Sequence, residues 1–145
     1  MSLEFEFIFI GNWGPETALI QDRMSGLPNC KFVKWITLLE LAMAMENSDV
    51  FLFPSRAEGG ARVVTEAMCM GMPIITTHNS GSPINHLEEG IIVKPNDSFT
   101  ILEWLVELSN NDSLFGKLGS QSRKKIESMI VKDTYLETIR GVCNL

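Results

Sequence analysis

Short runs of consecutive apolar residues alternate along this chain with longer segments in which apolar residues return every three or four positions. Phe5, Phe7 and Phe9 interleave with Glu6, Ile8 and Ile10 and stop at Gly11, which predicts a strand largely covered on both faces. Residues 16–24 predict a helix closed by Gly26 and Pro28, and residues 30–36 the next strand. Thr37 with Glu40 three positions on is a capping box, and Leu38, Leu41, Ala42 and Met45 share one face of the helix it opens. Strand 50–54, helix 61–70 and strand 73–77 continue the alternation, and a short segment at 83–89 precedes strand 91–94. Asp97 or Ser98 opens a helix carrying Ile101, Leu102, Leu105, Val106 and Leu108, and helical segments at about 113–129 and 134–142 end the chain. This order predicts an α/β fold, a Rossmann-like doubly wound parallel sheet with helices on both faces.

Composition narrows the class. At 145 residues and 45% hydrophobic content, the chain suits one domain, 1–145, with a buried core. A net charge of -6 without a basic patch excludes a nucleic-acid partner, whose phosphates require clustered Lys and Arg. The densest basic run, Arg123-Lys124-Lys125, reads as a solvated helix face, with peripheral membrane contact as the minor alternative. No apolar stretch approaches the ~20 residues that span a bilayer. No secretory leader is recognisable, and Met1-Ser2-Leu3 reads as a scar of expression. Cys30, Cys69 and Cys143 lie far apart with no His at zinc-ligand spacing, so reduced thiols, a cytoplasmic location and no metal are expected. Met43, Met45, Met68 and Met70 fall in amphipathic helices and are expected in the core.

The most informative chemistry lies at residues 54–67. Glu58 and Glu66, with seven residues between them, flank a strand end, the Gly59-Gly60 turn and a helix start at Ala61 and Arg62. Backbone amides at a helix start favour an anion. Two carboxylates beside such a start would repel a phosphate unless they face hydroxyls, for which a carboxylate is an acceptor only. That combination suggests a nucleotide-sugar site. Two glycines exceed what a tight turn needs, which suggests close approach of backbone to a ligand. In open parallel sheets ligands bind beyond the carboxyl ends of the strands, so residues 11–15, 35–37, 55–60 and 78–83 form the candidate loops.

Pro54-Ser55-Arg56, Glu58-Gly59-Gly60, Glu66-Ala67-Met68, residues 71–76 and residues 90–95 together resemble the carboxy-terminal domain of glycosyltransferase family 4. The resemblance runs from about Phe5 to the end of the chain and implies one truncated half of a GT-B fold. It implies transfer of a sugar, with retention, from a nucleotide diphosphate sugar to a glycan or lipid-linked acceptor held by an amino-terminal domain, which this chain lacks. It also implies no metal, and a location in the cytoplasm or at the inner face of the membrane. In the E-x7-E motif so matched, Glu58 is the catalytic-site acid beside the transferred sugar and Glu66 binds ribose hydroxyls. Gly59, Gly60, Ala61, Arg62, Ser55 and Gly11 complete the expected donor-binding set, although Arg62 lies between a ligand contact and plain solvent exposure. The structural alternative for Glu66 is a surface ion pair with Arg62 at i, i+4.

The resemblance sets Trp35 near the base pocket, whereas a tryptophan in a short apolar strand is ordinarily core. Ser80-Gly81-Ser82-Pro83 resembles a second glycine loop of the family, followed by Ile84 and Asn85 where a glutamate is frequent. His78 and His86 read as loop or cap residues. The family's diphosphate-clamping Lys or Arg has no counterpart before Phe5, so activity of this chain alone is not expected. Two further readings stand beside the transferase: a non-catalytic doubly wound interaction domain, and a GT-B epimerase or phosphorylase.

Overall fold

A computed structural model of the chain describes residues 4–11, 14–129 and 141. The order is β1 (Phe7–Ile10), α1 (Pro15–Ser25), β2 (Cys30–Val33), α2 (Leu38–Glu46), β3 (Phe51–Phe53), α3 (Arg62–Met70), β4 (Ile74–Thr77), β5 (Ile91–Val93), α4 (Ser98–Asn110) and α5 (Asp112–Met129). The helix expected at 134–142 and Cys143 fall outside the described residues, Gly141 excepted. Contacts group the chain into two compact units, one running up to Leu41 and one from Ala42 on.

In the first unit β1 and β2 pair in parallel, Phe7 opposite Cys30 and Ile10 opposite Val33. The Phe9 and Phe32 rings stack at 4.9 Å across the pair. β2 ends three residues earlier than expected, and Trp35 is 82% exposed rather than core. No strand partner continues past Val33, so the side chain has nothing to pack on within the pair. The capping box forms as expected: the Thr37 backbone amide donates to Glu40 Oε2 at 2.7 Å, and the Glu40 amide donates to Thr37 Oγ1 at 3.3 Å. The backbone and hydroxyl donors of Thr37 hold the Glu40 carboxyl below its ordinary range.

In the second unit β3, β4 and β5 form a parallel sheet with β4 in the centre. All four β4 residues, Ile74, Ile75, Thr76 and Thr77, are buried, as expected of a central strand in a parallel sheet. Met68, Ile74, Ile75, Ile91, Leu108 and Leu118 are its largest fully buried apolar side chains. Met45 joins this core, but Met43 is 51% exposed, because it lies about 160° around α2 from Met45. α3 touches β3 and β4 and packs against α5. α3 ends at Gly71, whose left-handed φ of 71° lets its amide close onto Ala67 and Met68 carbonyls. The Gly71 carbonyl then lies against Gly119 of α5 so closely that a Cβ at Gly119 would collide with it.

The short segment 83–89 holds no regular element: His86 makes an isolated bridge to Gly90, and residues 87–89 form a turn with Leu87 at φ 63°. Glu89, 9% exposed, accepts from the Asn85 amide at 2.9 Å and pairs with Lys125 at 3.0 Å, tying this segment to α5. Arg123 pairs with Glu127 at 3.3 Å, so two of the three cations of the basic run are matched within the fold. His86 behaves as a structural residue: its Nδ1 accepts from the Ile92 amide at 3.0 Å, and its ring meets Trp104 edge-on at 5.8 Å. Asp97 caps α4, accepting from the Thr100 amide at 3.1 Å and from the Thr100 hydroxyl at 2.9 Å. The same two donors, the amide first, lower the Asp97 pKa.

Two stability predictions follow from this packing. Gly119→Ala should destabilise the protein by about 1–3 kcal/mol, because α5 must shift off a backbone carbonyl; an unchanged denaturant midpoint would contradict the contact. For Asp97 and Glu40 the folded-state pKa is depressed, so their stabilisation is complete above the ordinary carboxylate range and is lost as pH falls through the folded values. Asp97→Ala should therefore lower the melting temperature at neutral pH, and the gap to the parent should close in strong acid. A gap independent of pH would contradict the cap.

Candidate functional site

Because β3, β4 and β5 are parallel, their carboxyl ends share one edge, and the segments after them, 54–61, 78–83 and 94–97, leave from that edge. Backbone groups beyond a ladder's end need new partners. Here side chains supply them. Thr76 Oγ1 donates to the Phe53 carbonyl at 2.9 Å, Thr77 Oγ1 to the Ser55 carbonyl at 2.5 Å, and Asn79 Nδ2 to the Arg56 carbonyl at 2.6 Å. Two backbone bonds continue the series, from the Glu58 amide to the Asn79 carbonyl at 2.9 Å and from the Ala61 amide to the Ser80 carbonyl at 3.0 Å. The fully buried Ser80 hydroxyl donates to the Thr77 carbonyl at 2.9 Å, so its 2.8 Å contact with the Ser82 hydroxyl uses the Ser82 proton. The end of β3 and the loop carrying Glu58 are thus held at five points by the end of β4 and the loop after it.

The glycines make this docking close. Gly81 sits at φ 64°, and a Cβ there would lie 3.0 Å from the Gly60 nitrogen and 3.3 Å from the Glu58 carbonyl oxygen. Gly60, at φ 144°, adopts a backbone that side chains rarely allow. Gly59 has neither constraint, since a Cβ there would meet nothing within 4 Å. The fold therefore accounts for Gly60 and Gly81 and leaves Gly59 unexplained by anything inside the protein.

Ser55 is half-buried just past β3, and Glu58, Gly59 and Gly60 are exposed at the loop's tip. Ala61, 7% exposed, is the residue before α3, and Arg62 is its exposed first residue. Glu66 is buried, at 4% exposure. At about 100° per residue it lies on the side of α3 away from Val64, Ala67 and Met68, with buried Cys69 near it. Burial distinguishes Glu66 from an exposed side chain, and Arg62, four residues earlier, lies about 40° from it around α3. Gly11 lies in the first unit, where its amide extends the β1–β2 pairing to the Val33 carbonyl at 3.1 Å.

Arg56, Ala57, Glu58, Gly59 and Asn79 line an open depression of about 620 Å³ on this edge, and Glu66 is not among its lining residues. Arg56 and Asn79 fall within the candidate loops 55–60 and 78–83, at the ligand edge of the parallel sheet, but the sequence reading gave neither of them a role. Arg56 also reaches the third loop, its Nε donating to Asn96 Oδ1 at 2.9 Å. His78 is exposed in a short 3-10 turn after β4. Among the described residues no group of three His, Cys, Asp or Glu could hold a metal ion.

The fold so described recurs in known proteins. A solved structure of Anabaena Alr3699/HepE in complex with UDP-glucose superposes with a TM-score of 0.76 at 17% identity, covering 96% of this chain and 39% of that one. The C-terminal domain of a group 1 glycosyl transferase, LpcC of Francisella tularensis, superposes with a TM-score of 0.76 at 20% identity, over 88% of this chain and 71% of that one. These likenesses identify the fold as a Rossmann-like α/β half of a GT-B structure. In sequence, the capsular polysaccharide biosynthesis glycosyltransferase CapM of Staphylococcus aureus is 29% identical over 119 residues, 81% of this chain and 31% of CapM. The chain thus spans about a third of the length of this curated relative. A family model described as glycosyl transferases group 1 matches residues 2–111, and the chain belongs to that family.

Proposed function

We propose that this chain is the donor-binding half of a retaining hexosyltransferase, which moves a sugar from a nucleotide diphosphate sugar to a glycan or lipid-linked acceptor. The observation that carries the reading is the fixed Glu58 loop at the carboxyl edge of a parallel sheet. Its backbone is bonded to the β4 loop, while the Glu58 carboxylate and Gly59 line the open depression. A locked loop presents a carboxylate without paying ordering entropy when a sugar arrives. Glu58 accepts hydroxyl protons of the transferred sugar, and Gly59, unconstrained by the fold, gives the sugar or phosphate room to approach backbone. Gly60, Ala61 and Arg62 lead into the amino end of α3, whose polarity favours the diphosphate. Ser55 sets the exit from β3, Glu66 binds ribose hydroxyls, and Gly11, at the end of β1, is assigned to the donor-binding set by the family resemblance alone.

No step in this scheme requires a metal. The acceptor and the groups that approach the sugar's other face belong to parts of the protein beyond this chain. No described helix is long and apolar enough to cross a membrane, and the proposed setting is the cytoplasm, at most peripheral to the membrane.

The burial of Glu66 supports one competing reading for that residue, a purely structural carboxylate within the α3 packing. A thermal-shift panel of UDP, GDP, ADP and their sugars on the intact protein tests the donor reading, and one base series should stabilise it. Glu66→Gln should weaken that nucleotide about 10- to 100-fold, the range for losing hydrogen bonds to a charged group. A variant that melts lower yet binds nucleotide normally would make Glu66 structural. Glu58→Gln should bind the nucleoside diphosphate as the parent does and lose the extra affinity for the sugar-bearing form. If nothing binds at millimolar concentration, the donor reading is wrong.

A further inference from the structure

We infer that Arg56 holds an oxyanion of the substrate in the depression beside Glu58, and that Asn96 is the positioning residue that aims it. This rests on the donor reading above and assigns a residue outside the motif of two glutamates. The Arg56 main chain is fixed by Asn79, whose side-chain amide donates to its carbonyl at 2.6 Å. Its side chain is fixed at a second point, Nε donating to Asn96 Oδ1 at 2.9 Å, forty residues along the chain and one strand further across the sheet. Asn96 itself is set by backbone geometry: its φ is 64°, a left-handed conformation asparagine tolerates, in the turn closed by the Asp97 amide on the Lys94 carbonyl at 3.3 Å.

A guanidinium has five N–H donors in a planar fork. The tether uses one of them, and the acceptor is a neutral amide, so the positive charge stays unmatched. No Asp or Glu among the described residues pairs with Arg56, in a chain that carries 18 acidic residues against 12 basic ones. Ordering so long a side chain costs conformational entropy, and one bond to an exposed asparagine is a weak return if structure were the only purpose. The fork suits the two oxygens of a phosphate or a carboxylate, and a pre-set orientation reduces the ordering left for the ligand to impose. Glu58 in the same depression accepts protons only. The two residues therefore offer complementary chemistry, one for hydroxyls and one for an oxyanion. That oxyanion is either a phosphate of the donor or a carboxylate on the transferred sugar.

Binding of uridine, UDP, UDP-glucose and UDP-glucuronic acid to the intact protein, or the matching series for the base selected above, separates these sources in Arg56→Gln. A phosphate contact predicts roughly tenfold or greater weakening of UDP and both sugars alike, with uridine unchanged. A carboxylate contact predicts that the parent prefers the glucuronic acid donor and that only this preference disappears. Asn96→Gly keeps the left-handed backbone accessible and removes the amide, so it should reproduce a smaller part of the same loss without a lower melting temperature. Unchanged affinities for all four probes in Arg56→Gln, while Glu66→Gln has lost UDP, would overturn the inference and leave the donor reading intact. Absence of binding by the parent would instead remove both.

Discussion

The backbone groups that emerge from three short parallel strands have no ladder to enter, and their demand for partners organises everything functional in this chain. Thr76 and Thr77 at the end of β4 and Asn79 just beyond it meet that demand with their side chains, and Ser80 with its backbone carbonyl. The Gly60 backbone then lies so close to Gly81 that a Cβ there would be crowded at 3.0 Å, on a left-handed backbone that side chains rarely adopt. Losing either threonine bond would leave a polar group unpaired in a half-buried place, at a penalty of about 1–3 kcal/mol. The rigid loop that results is what allows Glu58 and Arg56 to stand at a surface with defined positions. The same edge carries Asn96, so all three post-strand loops act on one depression.

Packing below the edge serves the same end. α3 must start at the Glu58 loop and stop before β4, and it is covered by strands on one hand and α5 on another. Its termination at Gly71 and the close approach of Gly119 set how deeply α3 sits. Glu66 is carried into the interior by this helix, so the two glutamates occupy different environments, one exposed at the loop's tip and one buried. Charge elsewhere is used structurally, as in the Lys125–Glu89 pair that ties the turns before β5 to α5.

The elements of this fold were legible because each carries a local signal. The box of Thr37 and Glu40, the Asp97 cap and the glycine after Met70 mark helix ends, and the β-branched run at residues 74–77 marks a central strand. Failures came where local pattern and tertiary surroundings part. Trp35 looks like a strand residue but lies past the last paired position, and Met43 shares a helix with core residues but not their face. Residues 83–89 have too mixed a pattern to define an element, and tertiary contacts set their shape, as Glu89 accepts from Asn85 and pairs with Lys125. For the candidate site, spacing marked Glu58 and Glu66, while Arg56 and Asn79 stood in candidate loops without a role, and their shared depression was visible only once the loops met.

By itself the sequence determined the alternation of strand and helix, the parallel sheet and the place of the two glutamates around a glycine turn, because periodicity, caps and glycine turns act over a few residues. Only the tertiary structure decided that Gly60, not Gly59, is required by the backbone, that Glu66 is buried, and that Arg56 is aimed by Asn96. Each of these depends on groups 20 to 40 residues apart being brought to one edge of a sheet, and no pattern within a short window encodes that meeting.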